Sequence, residues 1–183
     1  MPEVTVRPLL MIALLALPMA TPVLAASADI TLEIPRLDVA EYHRPYVAVW
    51  IEGEDRSVAA NLAVWYQQKE GKDAGTGKQE SGAKWLADLR QWWRRSGREQ
   101  RLPIDGVSGA TRPAGQYRLH FDDAGPPLAG LAPGAYTLKI EAAREVGGRE
   151  VLAIAFQWPP TASTHLQASG RDELGAVRLD LEP

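Results

Sequence analysis

The chain has 183 residues, 45% of them hydrophobic, with a formal net charge of −3 at pH 7 and no cysteine. Without cysteine the protein cannot form a disulfide, a thiolate metal site, an iron–sulfur cluster or a covalent c-type haem. Its mild negative charge makes nucleic acid and anionic membrane surfaces poor partners, because both repel an acidic protein. The length and hydrophobic content are enough for one domain with its own core.

The first 25 residues have the pattern of a cleavable secretory signal peptide. Arg7 precedes an apolar run from Leu9 to Leu17, and the small-residue site Val23-Leu24-Ala25 follows. The apolar run is too short to span a bilayer, so we expect no stable membrane insertion. The sequence therefore predicts export to the periplasm, with residues 26–183 as a single mature domain.

Seven stretches of the chain alternate apolar and polar residues with a period of two, which is typical of half-buried β-strands. Turn sequences such as Pro133-Gly134 and Gly147-Gly148 separate them. On the third stretch, Leu62, Val64 and Tyr66 are expected to share one face. The predicted strands are 29–34, 46–52, 61–67, 117–122, 136–140, 152–158 and 177–181.

The pattern changes after the third predicted strand. Residues 69–82 are rich in Gly, Lys and Gln, which predicts a loop. From Lys84 onward, apolar residues recur at helical spacing, and Gly97 is placed to cap the end of a helix. The apolar residues on one side of this predicted helix are Trp85, Leu86, Leu89, Trp92 and Trp93. We expect this side to pack on the sheet.

These elements together predict an all-β fold: an antiparallel Ig-like β-sandwich of about seven strands with one helix-containing insert. The segment from Tyr117 to Ile140 resembles the terminal hairpin of bacterial Ig-like domains. The insert, residues 69–113, is the departure from a plain sandwich. Long loops on a rigid scaffold commonly carry function, so a site is expected in the insert.

The end of the insert contains the most specific motif of the chain, Asp105-Gly106-Val107-Ser108-Gly109-Ala110-Thr111. Its composition alone predicts a loop, because Asp, Gly and Ser favour turns. Its order resembles the flavin attachment motif of FMN-binding domains, which occur in Rnf and sodium-pumping quinone reductase complexes. The resemblance implies that a periplasmic flavin transferase attaches FMN to the Thr111 hydroxyl through a phosphoester bond.

The residues beside Thr111 suit such a tether. Gly109 and Ala110 leave room for a modifying enzyme to approach the backbone. Asp105 matches the acidic position of the motif and is expected to matter for recognition by the transferase. Arg112 is adjacent and can pair with the anionic phosphodiester. The sequence thus assigns a role around the cofactor to most of the motif.

The tryptophans of the predicted helix are further candidates for cofactor contact. Trp85 and Trp92, with Trp93, can stack on the isoalloxazine ring of FMN. The competing interpretation places the same side chains in the core, and their helical spacing favours it. We therefore expect at most one of these tryptophans to contact the flavin.

Most of the chain also resembles an uncharacterised bacterial family of predicted periplasmic proteins. This domain of unknown function is often found beside PepSY-type membrane proteins. The segments that carry the resemblance are 44–50, 61–65, 84–86, 92–94 and 108–112. The resemblance implies a periplasmic location and a PepSY-type membrane redox protein as partner, but no established activity.

The motif and this resemblance favour an electron carrier over an enzyme with its own substrate. The alternative is a non-enzymatic periplasmic Ig-like binding or assembly module, because a sandwich fold does not by itself imply catalysis. No metal site is predicted, since His43, His120 and His165 lack metal-ligand spacing. No recognised serine hydrolase motif is present either.

Overall fold

A computed structural model describes residues 25–68, 71–72, 79–80 and 82–183. Within them the chain is mostly β, and two sheets of four and five strands pack face to face. The prediction of an all-β sandwich with a helix-containing insert is therefore confirmed. The predicted signal peptide, residues 1–25, lies outside the described residues apart from Ala25, and much of the predicted loop over residues 69–82 lies outside them as well.

The described part of the chain forms eleven strands, numbered here in chain order. They are β1 (Ser27–Ile34), β2 (Tyr46–Gly53), β3 (Val58–Tyr66), β4 (Gly71–Lys72), β5 (Gln79–Glu80), β6 (Ser108–Ala110), β7 (Gly115–Asp122), β8 (Gly134–Ala143), β9 (Arg149–Trp158), β10 (Thr164–Ser169) and β11 (Ala176–Glu182). One sheet has the order β10-β11-β1-β7, and the other has the order β6-β3-β2-β8-β9. β4 and β5 form a separate two-stranded ladder.

The main core lies between the two sheets and is built from residues that alternate along the strands. On β1, every second residue from Ala28 to Ile34 is buried, because successive side chains point to opposite faces of a sheet. The opposite sheet contributes side chains such as Val49, Ile140 and Ile154. Removal of this apolar surface from water is the main force that holds the sheets together.

All seven predicted strands are present, but two further strands of the sandwich were missed. β10 gives a weak signal because only Leu166 and Ala168 pack toward the core, and both are half-buried. β6 lies in the motif that was predicted to be a loop, so that prediction was wrong for Ser108–Ala110. These three residues are strand because they pair in parallel with β3, a long-range contact that no local pattern reveals.

The face predicted for the third strand was wrong in one position. A β-bulge shifts the register of β2 against β3 after Val49 and before Trp50. Leu62 consequently packs into the core between the sheets, while Val64 and Tyr66 pack on the outer face of the five-stranded sheet. The bulge therefore adds Val64 and Tyr66 to the outer face, on which the insert packs.

The helical part of the insert is not the single α-helix that was predicted. It consists of a 3₁₀-helix (Gly82–Asp88), an α-helix α1 (Arg90–Arg95) and a 3₁₀ turn (Gly97–Glu99). Leu89, with φ −74° and ψ 68°, separates the first two segments. Gly97 was wrongly predicted as the cap, because Ser96 ends α1 and Gly97 opens the next turn.

The 3₁₀ geometry decides which side chains of the first segment face the sheet. With three residues per turn, Leu86 and Leu89 lie on one side, and both are fully buried. Trp85 lies on another side and is 50% exposed, so its predicted place on the packed side was wrong. On α1, Trp92 is fully buried and Trp93 is half-buried.

The insert covers the outer face of the five-stranded sheet and forms a second apolar cluster there. Its buried members are Ala48, Trp50, Val64, Tyr66, Leu86, Leu89, Trp92 and Ala143. β2 therefore runs between two cores, which is why every residue from Val47 to Ile51 is buried. The expectation that the helical segment packs on the sheet is confirmed for most of its apolar residues.

Candidate functional site

The motif lies at one end of the five-stranded sheet. β6 pairs with the last residues of β3, and the Thr111 N–H donates to the Tyr66 carbonyl oxygen at 3.2 Å. Thr111 is the first residue beyond β6, and it is half-buried. The sheet therefore fixes the backbone that carries the Thr111 hydroxyl.

A hydrogen-bonded turn precedes β6. The Ser108 N–H donates to the Ile104 carbonyl oxygen, and the Ile104 N–H donates to Ser108 Oγ, both at 2.9 Å. Gly106 has φ +68°, a conformation that most side chains disfavour. Asp105 is exposed in this turn. Ser108 thus has a structural role, whereas Asp105 is accessible to a protein that approaches from solvent.

Gly109 and Arg112 both contact an aromatic pair at the edge of the main core. A Cβ on Gly109 would lie 3.0 Å from Trp65 Cδ1, so β6 approaches this indole more closely than a larger residue would allow. The Arg112 guanidinium carbon lies 4.8 Å from the Trp65 ring centroid and 5.3 Å from that of Tyr117. The Arg112 side chain is thereby held at the edge of the main core, although its backbone adjoins Thr111.

An open cleft of about 490 Å³ lies at this end of the sheet. Thr111 and Trp85 both line it, although they are far apart in the sequence. Its other walls come from the chain around Tyr46 at the start of β2, from Asp88 and Arg90, and from the turn between β8 and β9. Its volume falls within the range of about 300–1,000 Å³ that is usual for small-molecule sites.

The turn between β8 and β9 is held rigidly at the wall of the cleft. Arg144 donates to both carboxylate oxygens of Glu173 at 2.9 and 3.0 Å, and the Gly148 N–H donates to the same carboxylate at 2.7 Å. Both partners of this ion pair are buried, with 7% and 3% of their side chains exposed. Next to it, His43 Nδ1 lies 3.6 Å from Glu145 Oε2.

The remaining arginines of the cleft differ in their partners. Arg149 Nε donates to the buried carboxylate of Glu141 at 2.6 Å, so its charge is neutralised. Arg44 and Arg90 are exposed, and neither forms an ion pair with the residues that the structure describes. Asp88 adds one negative charge to the lining. The two exposed guanidinium groups therefore favour an anionic ligand.

The two tryptophans predicted to contact a flavin lie in different surroundings. Trp85 is half-exposed in the cleft, and Lys84 Nζ lies 4.5 Å from its ring centroid. Trp92 is fully buried, and its Nε1 donates to Asn61 Oδ1 at 2.8 Å. Since a buried ring has no face open to a ligand, the predicted stacking role is wrong for Trp92. Trp85 retains an accessible ring.

Sequence reasoning missed the residue that fixes the insert to the sheet. Glu141 on β8 is fully buried, and its carboxylate accepts hydrogen bonds from the Gln91 N–H at 3.0 Å and the Trp92 N–H at 2.7 Å. These bonds satisfy N–H groups in the first turn of α1, which have no partner within the helix. Glu141 therefore sets the position of the neighbouring Arg90 in the cleft.

A second group of polar contacts fastens the far end of α1. Asn61 Nδ2 donates to Ser96 Oγ at 3.0 Å, while Asn61 Oδ1 accepts the bond from Trp92. The nearby carboxylate of Glu52 is buried and accepts a hydrogen bond from Trp50 Nε1 at 3.0 Å. Within the described part of the chain, no buried side-chain nitrogen or oxygen lacks a hydrogen-bond partner.

The start of the insert is clamped at the floor of the cleft. The Tyr46 hydroxyl donates to the Gly82 carbonyl oxygen at 3.1 Å, and burial raises the pKa of Tyr46 above its usual value. Gly82 itself has no room for a side chain, because a Cβ there would collide with the Gln67 carbonyl oxygen. The first 3₁₀ segment, and Trp85 within it, is therefore held against the end of β3.

The other side chains considered from sequence lie away from the cleft or pair with carboxylates. His120 Nδ1 lies 3.1 Å from Asp29 Oδ1, and His165 Nδ1 lies 2.8 Å from Asp180 Oδ1. In residues 25–68, 71–72, 79–80 and 82–183, no three or more His, Asp or Glu side chains are grouped to hold a metal ion. Those residues also contain no helix with the length and apolar character needed to cross a membrane.

A family model described as predicted periplasmic protein (DUF2271) matches residues 27–176. The chain belongs to this family. The match runs from β1 to the start of β11, so it includes both sheets, the insert and the motif. The family description indicates a periplasmic location and names no activity. No curated protein and no solved structure matches the chain.

Proposed function

We propose that the protein is a periplasmic flavoprotein that carries FMN covalently on Thr111 and exchanges electrons with a PepSY-type membrane redox protein. One observation carries this proposal: Thr111, the last residue of the attachment-like motif, lines the same cleft as the half-exposed Trp85. A threonine hydroxyl suits the tether, and an accessible indole suits a flat aromatic cofactor.

The local structure fits the attachment of a bulky group at Thr111. Its backbone is held by the hydrogen bond to Tyr66, so the residue that carries the hydroxyl has a fixed place at the end of the sheet. The preceding Ala110 is small and exposed, and Gly109 lies flat against Trp65. A modifying enzyme therefore meets little side-chain bulk on the approach to the hydroxyl.

The attachment is a phosphoryl transfer in which this chain is the acceptor. Thr111 Oγ forms a bond to the phosphorus of the FMN half of FAD, the pyrophosphate bond breaks, and AMP leaves. AMP takes the electron pair of the broken P–O bond, and the hydroxyl proton is released to solvent. The periplasmic flavin transferase activates the hydroxyl and holds the dinucleotide, while Asp105 offers it an exposed acidic contact beside the motif.

The bound group supplies one- and two-electron redox chemistry that the amino acids of this chain lack. Its donor or acceptor is the redox cofactor of the membrane protein. A covalent bond suits a periplasmic carrier, because a dissociated cofactor would be lost by diffusion. Arg112 adjoins the attachment point in the sequence, but its guanidinium stacks on Trp65 and does not line the cleft, so pairing with the anionic phosphodiester requires it to leave that stack.

The proposal is tested by a substitution series in protein exported together with an active flavin transferase. After denaturing electrophoresis, flavin fluorescence is expected to migrate with the wild type, to persist in part in Thr111→Ser and to be absent from Thr111→Ala. Thr161→Ala, which removes an exposed threonine outside the motif, is the matched control and keeps the signal.

Equal fluorescence in Thr111→Ala and the wild type would exclude Thr111 as the attachment residue. No fluorescence in any variant, with the transferase active on another substrate, would favour the alternative of a non-enzymatic binding or assembly module. In that case the cleft would be a surface for a protein ligand.

A further inference from the structure

We infer that the cleft beside Thr111 is a docking site for the isoalloxazine ring of the tethered FMN, in which Trp85 stacks on the ring and Arg44 and Arg90 bind its polar edge. This inference rests on the proposed function and goes beyond it. A tether alone would leave the cofactor free in solvent, whereas the cleft holds it against the protein.

The surroundings of Trp85 point to a ligand. The neighbouring apolar residues Leu86 and Leu89 are fully buried, yet the largest side chain of the same segment is 50% exposed. The 3₁₀ segment that carries it is anchored at Gly82, which accepts the hydrogen bond from Tyr46 and lies close against Gln67. An indole presented in this way at a cleft is a stacking surface for a flat ring.

The charges of the cleft complement the ligand. Arg144 and Arg149 are occupied by Glu173 and Glu141, so they contribute structure and little free charge. Other titratable groups in the lining are His43 and Glu145, which contact each other, Tyr46 and Asp88. Among the arginines that line the cleft, Arg44 and Arg90 are the two that are exposed and have no carboxylate partner among the described residues. Guanidinium groups donate to carbonyl oxygens and to anions, and the pyrimidine edge of a flavin offers carbonyl oxygens.

The backbone that carries each arginine is fixed by the fold, without a ligand. Arg90 opens α1, whose next two N–H groups are held by the carboxylate of Glu141. Arg44 precedes the buried Pro45 at the start of β2. The backbone of the site is therefore formed before the ring enters, while the two exposed arginine side chains are ordered by the ring itself.

The position of Thr111 brings the attached group directly to the cleft. It lines the cleft itself, so a group attached to its hydroxyl begins at the wall of the site. The effective concentration of a ligand tethered at such short range is high, and even weak stacking then keeps the ring docked. We expect the docked ring to be partly shielded from solvent and its fluorescence to be quenched by the indole.

The test uses protein that carries the cofactor, with loading verified by mass for every variant. Trp85→Ala is expected to raise the flavin fluorescence per attached FMN at least about threefold, because the stacking indole is removed. Arg90→Gln and Arg44→Gln are expected to weaken the visible circular dichroism of the flavin, which reports a chiral, fixed environment. Arg94→Gln is the matched control, since it is exposed on the same helix but does not line the cleft.

The outcomes separate this inference from the proposed function. Attached FMN with the expected changes in the cleft variants, and none in Arg94→Gln, supports both. Attached FMN whose fluorescence and circular dichroism are the same in wild type, Trp85→Ala and Arg90→Gln overturns the docking site and leaves the carrier intact. A protein that is never loaded by an active transferase overturns both.

Discussion

Ile140 and Glu141 are neighbours on β8, and both are completely buried on opposite faces of the five-stranded sheet. Ile140 packs into the apolar core between the sheets, while Glu141 accepts hydrogen bonds from α1 and pairs with Arg149. The inner face is thus held by contacts without direction. The outer face combines an apolar cluster with hydrogen bonds that specify one position of the insert.

This difference bears on the function of the protein. An apolar interface tolerates small shifts, because burial depends on area and not on direction. The hydrogen bonds from two N–H groups of α1 to one carboxylate tolerate only much smaller shifts, because they depend on distance and angle. The outer face therefore fixes the insert, and with it Trp85 and Arg90, relative to Thr111.

Ile140→Ala is expected to lower the free energy of unfolding by about 4 kcal/mol, because it leaves a cavity between the sheets. The effect should be global. Hydrogen exchange should accelerate in β1 and β11 together with α1, and chemical denaturation should show one transition at lower denaturant. Faster exchange confined to the insert would contradict the assignment of Ile140 to the common core.

Glu141→Gln is expected to lower the free energy of local opening of α1 from the sheet by about 3 kcal/mol. It leaves Arg149 without its carboxylate and weakens the bonds to α1. In contrast to Ile140→Ala, the loss should be local. Amides of α1 should exchange faster, while those of β1 and β11 keep their protection. Glu145→Gln, an exposed glutamate of the adjacent turn, is the control and should change neither quantity.

Trp92→Phe is expected to lower the free energy of unfolding by about 2 kcal/mol, because it removes the donor to Asn61 and part of a fully buried ring. Thermal unfolding monitored by circular dichroism measures the loss. Because Asn61 bonds both Trp92 and Ser96, Asn61→Leu should lower the free energy of unfolding by less in the Trp92→Phe background than in the wild type. An additive loss in the double variant would argue against that coupling.

Substitution of Glu150 on β9 is expected to change stability least, and its effect should depend on pH. Partial burial raises its pKa, but the backbone N–H groups of the 171–174 loop outweigh this, so that the pKa lies below the usual 4.5. A carboxylate with a lowered folded-state pKa stabilises the fold above its unfolded value and loses that contribution as the pH falls through the folded value. Glu150→Gln should therefore destabilise at neutral pH, with the difference from wild type shrinking below about pH 4. A constant difference down to the acid transition would contradict this.

The inner face could be predicted from the sequence because its signal is local. Alternation along β1, β8, β9 and β11 places residues such as Ile30, Ile140 and Leu179 on one face without knowledge of their partners. Loop residues of the same core gave no such signal. Leu128 and Leu174 are fully buried there, although neither belongs to a strand.

The outer face could not be predicted in the same way, because its contacts join distant parts of the chain. The alternation along β8 predicts that Glu141 faces solvent, and only the position of α1 over it shows that it is buried. The apolar spacing predicts that Trp85 packs on the sheet as part of an α-helix, whereas the segment Gly82–Asp88 is a 3₁₀-helix. The motif ending in Thr111 was located from its order alone, but its pairing with β3 was not.

The most direct test of the central claim is the intact mass of the mature protein after export with an active periplasmic flavin transferase. A covalent flavin on Thr111 adds the mass of one FMN less one water, and this gain maps to the peptide that contains Thr111. An unmodified mass, while the transferase modifies a known substrate in the same cells, would contradict it.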